Sequence, residues 1–180
     1  MKNLIIINGT MGVGKTTVSR ILQEQLLLDR SVFLDGDWCW DMKPFLVNDE
    51  TKKMVVTNIQ FLLNQFLNCS VYQNIVFCWV MQEQHILDDV LSGLDLSESE
   101  LHCFSLTCSE SALKERILRD VDRGIRTEDV LDRSLARLAD YCKMNTVLID
   151  TSDIPASLAA DQIKKKIESD TGGSKYGKTI

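Results

Sequence analysis

Near its start the chain reads Gly9-Thr10-Met11-Gly12-Val13-Gly14-Lys15-Thr16-Thr17, which contains a complete G-x-x-x-x-G-K-[ST] pattern. Such a loop works only where a strand delivers it and a helix N-terminus follows it. Both neighbours are present. Leu4-Ile5-Ile6-Ile7 is an apolar run of the kind buried on both faces of a parallel sheet, and Asn8-Gly9 ends it. Beyond Thr16, the residues Val18, Ile21, Leu22 and Leu26 recur at helical spacing. The glycines let backbone N–H groups turn inward around phosphate oxygens. The pattern therefore predicts an α/β chain that binds a nucleotide, with Gly9, Gly12, Val13, Gly14, Lys15, Thr16 and Thr17 as the binding residues. Lys15 brings a mobile positive charge to the β- and γ-phosphates, the Thr16 hydroxyl is placed to ligate Mg²⁺, and Thr17 is a secondary candidate.

The 180 residues, 44% of them hydrophobic, suffice for one α/β domain over about 1–170, and a second full domain is not expected. With 20 basic against 26 acidic side chains and a net charge of −6, no global positive field invites nucleic acid or an anionic membrane. Anion binding has to come from local basic clusters. The six cysteines include no C-x-x-C pair, which argues for a reducing compartment and against zinc. Cys103 and Cys108 are expected on opposite faces of a strand. The apolar stretch before the loop is too short for a signal-peptide core or a membrane span, so the expected location is the cytoplasm. Residues 171–180 lack apolar periodicity and read as a flexible tail.

A second informative stretch follows the strand-like Ser31-Val32-Phe33-Leu34. It is Asp35-Gly36-Asp37-Trp38-Cys39-Trp40-Asp41, with three carboxylates in seven residues. Ligands of open parallel sheets bind beyond the carboxyl ends of strands, which would bring these acids beside the phosphate loop. A cation such as Mg²⁺ would relieve their repulsion. The alternative is a solvated turn whose acids cap backbone N–H groups. In an extended segment Trp38 and Trp40 would project to the same side, either walling a pocket or filling the core.

Pro44 sets a loop before a long helix in which Val55, Ile59, Leu62 and Phe66 form the apolar face, widened by Val56, Leu63 and Leu67. Ile75 to Val80 reads as another buried strand. No acid ends it, so magnesium support falls to Glu83 or to Asp35, and Asp35 is favoured because it comes directly off a strand. His85 reads as a surface or capping residue, and Gly93 closes the next helix.

Leu101 to Thr107 is a fourth strand, in which His102 faces a polar neighbour, and Ser109 caps the helix after it. That helix opens the third informative stretch, Arg116, Arg119, Arg123 and Arg126, the first three on one helix face and the last on a loop behind Gly124. The next helix carries Arg133 and Arg137, with Leu131, Leu135, Leu138 and Cys142 on its apolar side. Asp120, Asp122, Glu128, Asp129 and Asp132 are interleaved, so some arginines pair structurally while a subset around Arg119 to Arg126 contacts phosphate. Thr146 to Asp150 is the fifth strand; the turn Thr151-Ser152-Asp153-Ile154-Pro155 after it is either a rim for a nucleotide base or simply the start of a last helix, with Asp153 near its cap, from which Ala159, Ile163 and Ile167 face inward.

In their order, these motifs resemble the small phosphate-loop kinases grouped with adenylate, shikimate and gluconate kinases and chloramphenicol phosphotransferase. The resemblance spans about residues 2–168 and implies a three-layer α/β/α domain with a five-stranded parallel sheet ordered 2-3-1-4-5 and a lid around 119–130. It further implies ATP and Mg²⁺, a small-molecule acceptor whose hydroxyl takes the terminal phosphoryl group, and a monomer or homodimer. On the residues present, Thr16 and Asp35 would hold the metal, Asp37 would orient or deprotonate the acceptor, and Trp79 and Gln82 would line the acceptor side. Arg123 and Arg126 would act from the lid as catalytic residues with Lys15, and Arg116 or Arg119 would flank adenine or phosphates. The Asp-Gly-Phe-Pro-Arg segment of adenylate kinase is absent, and so is the Asn-Lys-x-Asp of small GTPases. The remaining alternatives are a nucleoside or nucleotide kinase with an atypical acceptor site and a non-catalytic ATP-binding regulator.

Overall fold

Alternation along β1 (Lys2–Asn8) sets the architecture, because Ile5 and Ile7 pack into one apolar cluster while Leu4 and Ile6 pack into another, all four fully buried. A strand covered on both faces belongs inside a parallel sheet. The computed structural model, which describes residues 1–26 and 30–170, places it there. β1 pairs in parallel with β3 (Asn74–Trp79) and with β4 (Ser99–Thr107), with Ile6 opposite Phe77 and Cys103. Outside them lie β2 (Ser31–Asp35) and β5 (Val147–Asp150), giving the order 2-3-1-4-5. The tail expected at 171–180 lies outside the described residues, as does the side chain of Leu26.

Helices close both faces, making three layers. α1 (Lys15–Ile21), α4 (Glu110–Asp122) and α6 (Ala156–Asp170) bring Val18, Leu113, Ile117, Ile163 and Ile167 onto the face of Ile5 and Ile7. α2 (Asp49–Asn68) and α3 (Gln84–Ser92) cover the other with Val55, Ile59, Leu63, Leu87 and Val90. α5 (Asp129–Leu138) adds Val130 and Leu138 to the first face. Cys103 and Cys108 fall in opposite clusters, as their spacing requires. No helix among the described residues is long and apolar enough to cross a membrane.

Several elements depart from the sequence expectation for local reasons. The first helix does not run on as an α-helix: Leu22–Leu26 widens into a π turn, which leaves the Gln23 carbonyl to accept from Ser31 Oγ at 3.2 Å. In α2 the buried line is Val55, Ile59, Leu63 and Leu67, one step round from the expected centre, and Leu62 and Phe66 are only partly covered. Its start is fixed by a reciprocal Asn48–Thr51 capping box. At its end Lys2 Nζ donates to the carbonyls of Phe66 and Leu67 at 3.3 and 2.6 Å. The expected helix through Cys142 stops at Leu138, and a 3₁₀ turn, Ala139–Lys143, swings Tyr141 into the core while Cys142 stays exposed. The carboxyl ends of β1 and β2, on either side of β3, open on the same edge of the sheet as the N-terminus of α1, and there the motifs gather.

Candidate active site

The loop between β1 and α1 owes its path to its glycines. Gly9 has φ +148°, and a Cβ there would meet the Leu106 carbonyl oxygen at 2.8 Å; Gly14, with φ +106°, caps α1 in a left-handed conformation. Three contacts from elsewhere hold the loop in place. Thr10 Oγ1 donates to the Ser134 carbonyl at 3.0 Å, and Asn8 Oδ1 accepts from the N–H groups of Gly9 and Met81, each at 2.8 Å. Arg116 Nη1 donates to the Val13 carbonyl at 3.2 Å and to Thr151 Oγ1 at 3.0 Å, while Nη2 donates to the Thr151 carbonyl. Arg116 thus fastens the loop to the turn after β5. The resemblance cast it as a flank for adenine or phosphate; its guanidinium is engaged with the scaffold.

Lys15 is buried, and its Nζ donates to the Thr10 carbonyl at 3.0 Å. Burial lowers its pKa from 10.5 to about 8, while the carboxylates of Asp37 and Asp35 pull it back up. Thr16 Oγ1 donates to Asp35 Oδ2 at 2.9 Å, so the hydroxyl and the carboxylate named for the metal stand together at the end of β2. Asp35 is 8% exposed and its Oδ1 also accepts the Asp37 N–H at 3.1 Å. Among the described residues no group of three or more His, Cys, Asp or Glu could cage a metal. A hydroxyl and one carboxylate fit Mg²⁺, which keeps waters and phosphate oxygens as its other ligands. Glu83, the other candidate, instead meets His85 Nδ1 at 3.3 Å on the exposed start of α3.

Asp37 does not continue an extended segment. Residues Gly36–Trp40 form a 3₁₀ helix, with Asp35 capping it. Trp38 and Trp40 therefore do not alternate to one side, yet both line the same cavity, Trp38 edge-on to Phe33 at 5.6 Å and Trp40 beside Phe45 at 5.9 Å. The Asp37 carboxyl, on a residue still open to solvent, is raised above 3.8 by partial desolvation in the cleft and then by the Asp35 charge, with Lys15 and the Trp79 side chain opposing the shift.

Two cavities meet here. The first, about 460 Å³, runs along the loop from Met11 to Val18 and is faced by Asp35, Arg116, Arg119, Arg123 and Arg126. Arg119 pairs with Glu115 and Arg126 Nε with Asp120 Oδ2 at 2.9 Å; Arg123 has no ion-pair partner among the described residues. The second, about 1010 Å³, holds Trp38, Trp40, Trp79 and Gln82. Met11 and Asp37 line both. His102, as expected, is buried beside polar neighbours, 3.4 Å from Asn3 Oδ1. The turn after β5, read as a rim or as a helix start, contributes Thr151, Ile154 and Pro155 to the first cavity. Sequence reasoning missed Asn8, Phe45, Val47 and Lys52. The first is an ordinary polar residue next to a motif, and the last three carry no periodicity because they come from a loop and the first turn of α2.

A phosphate loop with its lysine and threonine, in a sheet ordered 2-3-1-4-5, is the fold of the small P-loop kinases. By sequence, the chain belongs to the family whose model is described as an AAA domain and which matches residues 5–153. No curated protein sequence matches it. Similar solved structures include the tunicamycin resistance protein of Deinococcus radiodurans, at 20% identity and TM-score 0.66, covering 93% of this chain and 96% of that one. A gluconokinase from Sinorhizobium meliloti 1021 aligns at 17% identity and TM-score 0.67, covering 95% of both chains. A shikimate kinase from Acinetobacter baumannii, in complex with shikimate, aligns at 21% identity and TM-score 0.60, covering 94% of both. At these identities the likeness is one of fold.

Proposed function

We propose that the protein transfers the terminal phosphoryl group of ATP to a hydroxyl of a small-molecule acceptor. The observation that carries this reading is the position of Asp37, a carboxyl shared by the phosphate cleft and by a second, larger cavity. The kinases among the proteins of similar fold support the same reaction class.

In this mechanism the loop N–H groups and Lys15 cradle the β- and γ-phosphates, and Gly9, Gly12, Val13, Gly14 and Thr17 shape that cradle. Thr16 and Asp35 would hold Mg²⁺, which supplies charge neutralisation on the phosphate oxygens when bound. The acceptor oxygen attacks the γ-phosphorus, the bond to the β,γ-bridging oxygen breaks, ADP departs, and the acceptor proton passes to Asp37. A carboxyl raised by partial desolvation and by a neighbouring carboxylate is the better proton acceptor. Arg123 and Arg126, with Arg119, close over the transferring group from the segment around 119–130 and stabilise its charge. All six cysteines are free thiols, which supports a cytoplasmic location.

The reading is tested by coupled measurement of ADP release from Mg·ATP across nucleosides, sugars and other hydroxyl compounds. Stimulation by one class, lost in Lys15→Ala, supports it. Tight ATP binding with no stimulation by any class counts against it.

A further inference from the structure

The second cavity has a chemistry of its own. Its volume, about 1010 Å³, lies at the top of the roughly 300–1,000 Å³ range of sites that enclose drug-sized ligands. Its walls are aromatic. Trp79 forms the back, packed so closely on Gly36 that a Cβ there would fall 2.5 Å from the indole ring. Trp38 and Phe45 stand at the mouth, 54% and 65% exposed, although both are large apolar rings. Neither ring fills core space. Trp38 is held by its edge contact to Phe33 and by the Arg20 guanidinium, 5.7 Å from its centroid, and Trp40 is held against Phe45. Rings fixed in this way, yet left open to solvent, present flat apolar surface at little entropic cost.

The charges lining this cavity nearly cancel. Asp37, Asp41, Glu83 and Asp89 oppose Lys52, Arg133 and Arg137, and Arg133 is already engaged with Asp129 at 2.6 Å. Such a wall has no concentrated positive field with which to desolvate a phosphate or a sulfate on the incoming molecule. A monosaccharide, for its part, would leave most of the aromatic surface uncovered. Resting on the kinase reading above, we infer that the acceptor is a neutral, hydroxyl-bearing molecule with an aromatic or similarly flat apolar body. Its hydroxyl meets Asp37, and its body lies between Trp38, Trp40, Phe45 and Trp79.

A matched pair of fluorescent dyes tests this without knowledge of the natural acceptor. N-phenylnaphthylamine is neutral and aromatic, and anilinonaphthalene sulfonate is the same body with one negative charge. With Mg·ADP saturating the phosphate cleft, the neutral dye is expected to bind saturably at one site and several-fold more tightly than the sulfonated one. Trp38→Ser with Phe45→Ser should weaken it by about 10-fold. Both side chains are largely solvent-exposed, and an unchanged melting curve and Mg·ADP affinity establish that the double variant is folded. No saturable binding, binding indifferent to the two substitutions, or preference for the sulfonated dye overturns the inference while leaving the kinase reading intact. Dye binding as expected, with no hydroxyl compound stimulating ADP release, overturns the kinase reading on which it rests.

Discussion

The phosphate cleft and the aromatic cavity meet at Asp37, but they are built by different means. The cleft is made of backbone: a loop with three positive-φ glycines, a helix N-terminus, and side chains tied by hydrogen bonds between Thr16 and Asp35 and from Arg116 to the Val13 carbonyl. The cavity is made of side chains from a 3₁₀ turn, a loop and the start of two helices, with Phe45 and Trp38 largely in solvent. Phosphate geometry is common to every nucleotide, and fixed N–H groups suit it. An acceptor is particular to one enzyme, and side chains on loops change without disturbing the sheet. On this reading the two halves can be damaged separately.

The largest separation is expected from substitutions at Asp37 and Lys15. Asp37→Asn should lower turnover by about 10²–10⁴ while calorimetric Mg·ATP affinity is retained. Lys15→Ala should lower turnover by about 10²–10³ and weaken Mg·ATP binding as well, leaving neutral-dye binding in the aromatic cavity unchanged. Equal losses of nucleotide and dye binding in both variants would show that the cavities are one site.

Acid and base limbs sharpen the contrast. Because Asp37 is raised above 3.8, kcat/KM should fall on acidification at a higher pH than an unperturbed Asp would give, and that limb should vanish from the residual activity of Asp37→Asn. With Lys15 lowered to about 8 in the free protein, kcat/KM should also fall as pH rises through that value. For stability the sign is opposite: the unfolded chain keeps its Lys15 proton up to 10.5, so it binds more protons than the folded chain between about 8 and 10.5. Urea titrations across that window should show wild-type stability rising relative to Lys15→Met.

Smaller effects belong to the scaffold. In Gly12→Ala a Cβ would sit 2.6 Å from Ile117 Cγ1 at φ +81°, and thermal melts should show a loss of about 1–3 kcal/mol. Arg116→Lys, which cannot reproduce the forked contact to Val13 and Thr151, should cost about 1–2 kcal/mol and loosen nucleotide binding modestly.

The same division governs what could be read in the sequence. The strand order followed from the resemblance, and the burial of Leu4 to Ile7 followed from their apolar run, because repeated local signals agreed along the whole chain. Thr16 and Asp35 could be paired from motif order and the strand-end rule, without knowledge of the 2.9 Å contact. Arg116 could not be separated from Arg119 or Arg123 by spacing, since its role comes from Val13 and Thr151, which are far away in sequence. Trp38 and Trp40 were legible as a pair but not in their conformation, because Asp35 caps a tight turn where alternation suggested extended chain. Phe45 and Lys52 left no trace at all, since a cavity wall assembled from a loop and a helix start has no period.

Phosphorus NMR of Mg·ATP incubated with the wild-type protein and a set of nucleosides, sugars and aromatic alcohols reads the transfer itself. A new phosphomonoester resonance that grows in step with ADP, and is missing with Asp37→Asn, is the expected result. ATP bound and unchanged, or converted only to ADP and inorganic phosphate whatever hydroxyl compound is present, would contradict phosphoryl transfer across Asp37.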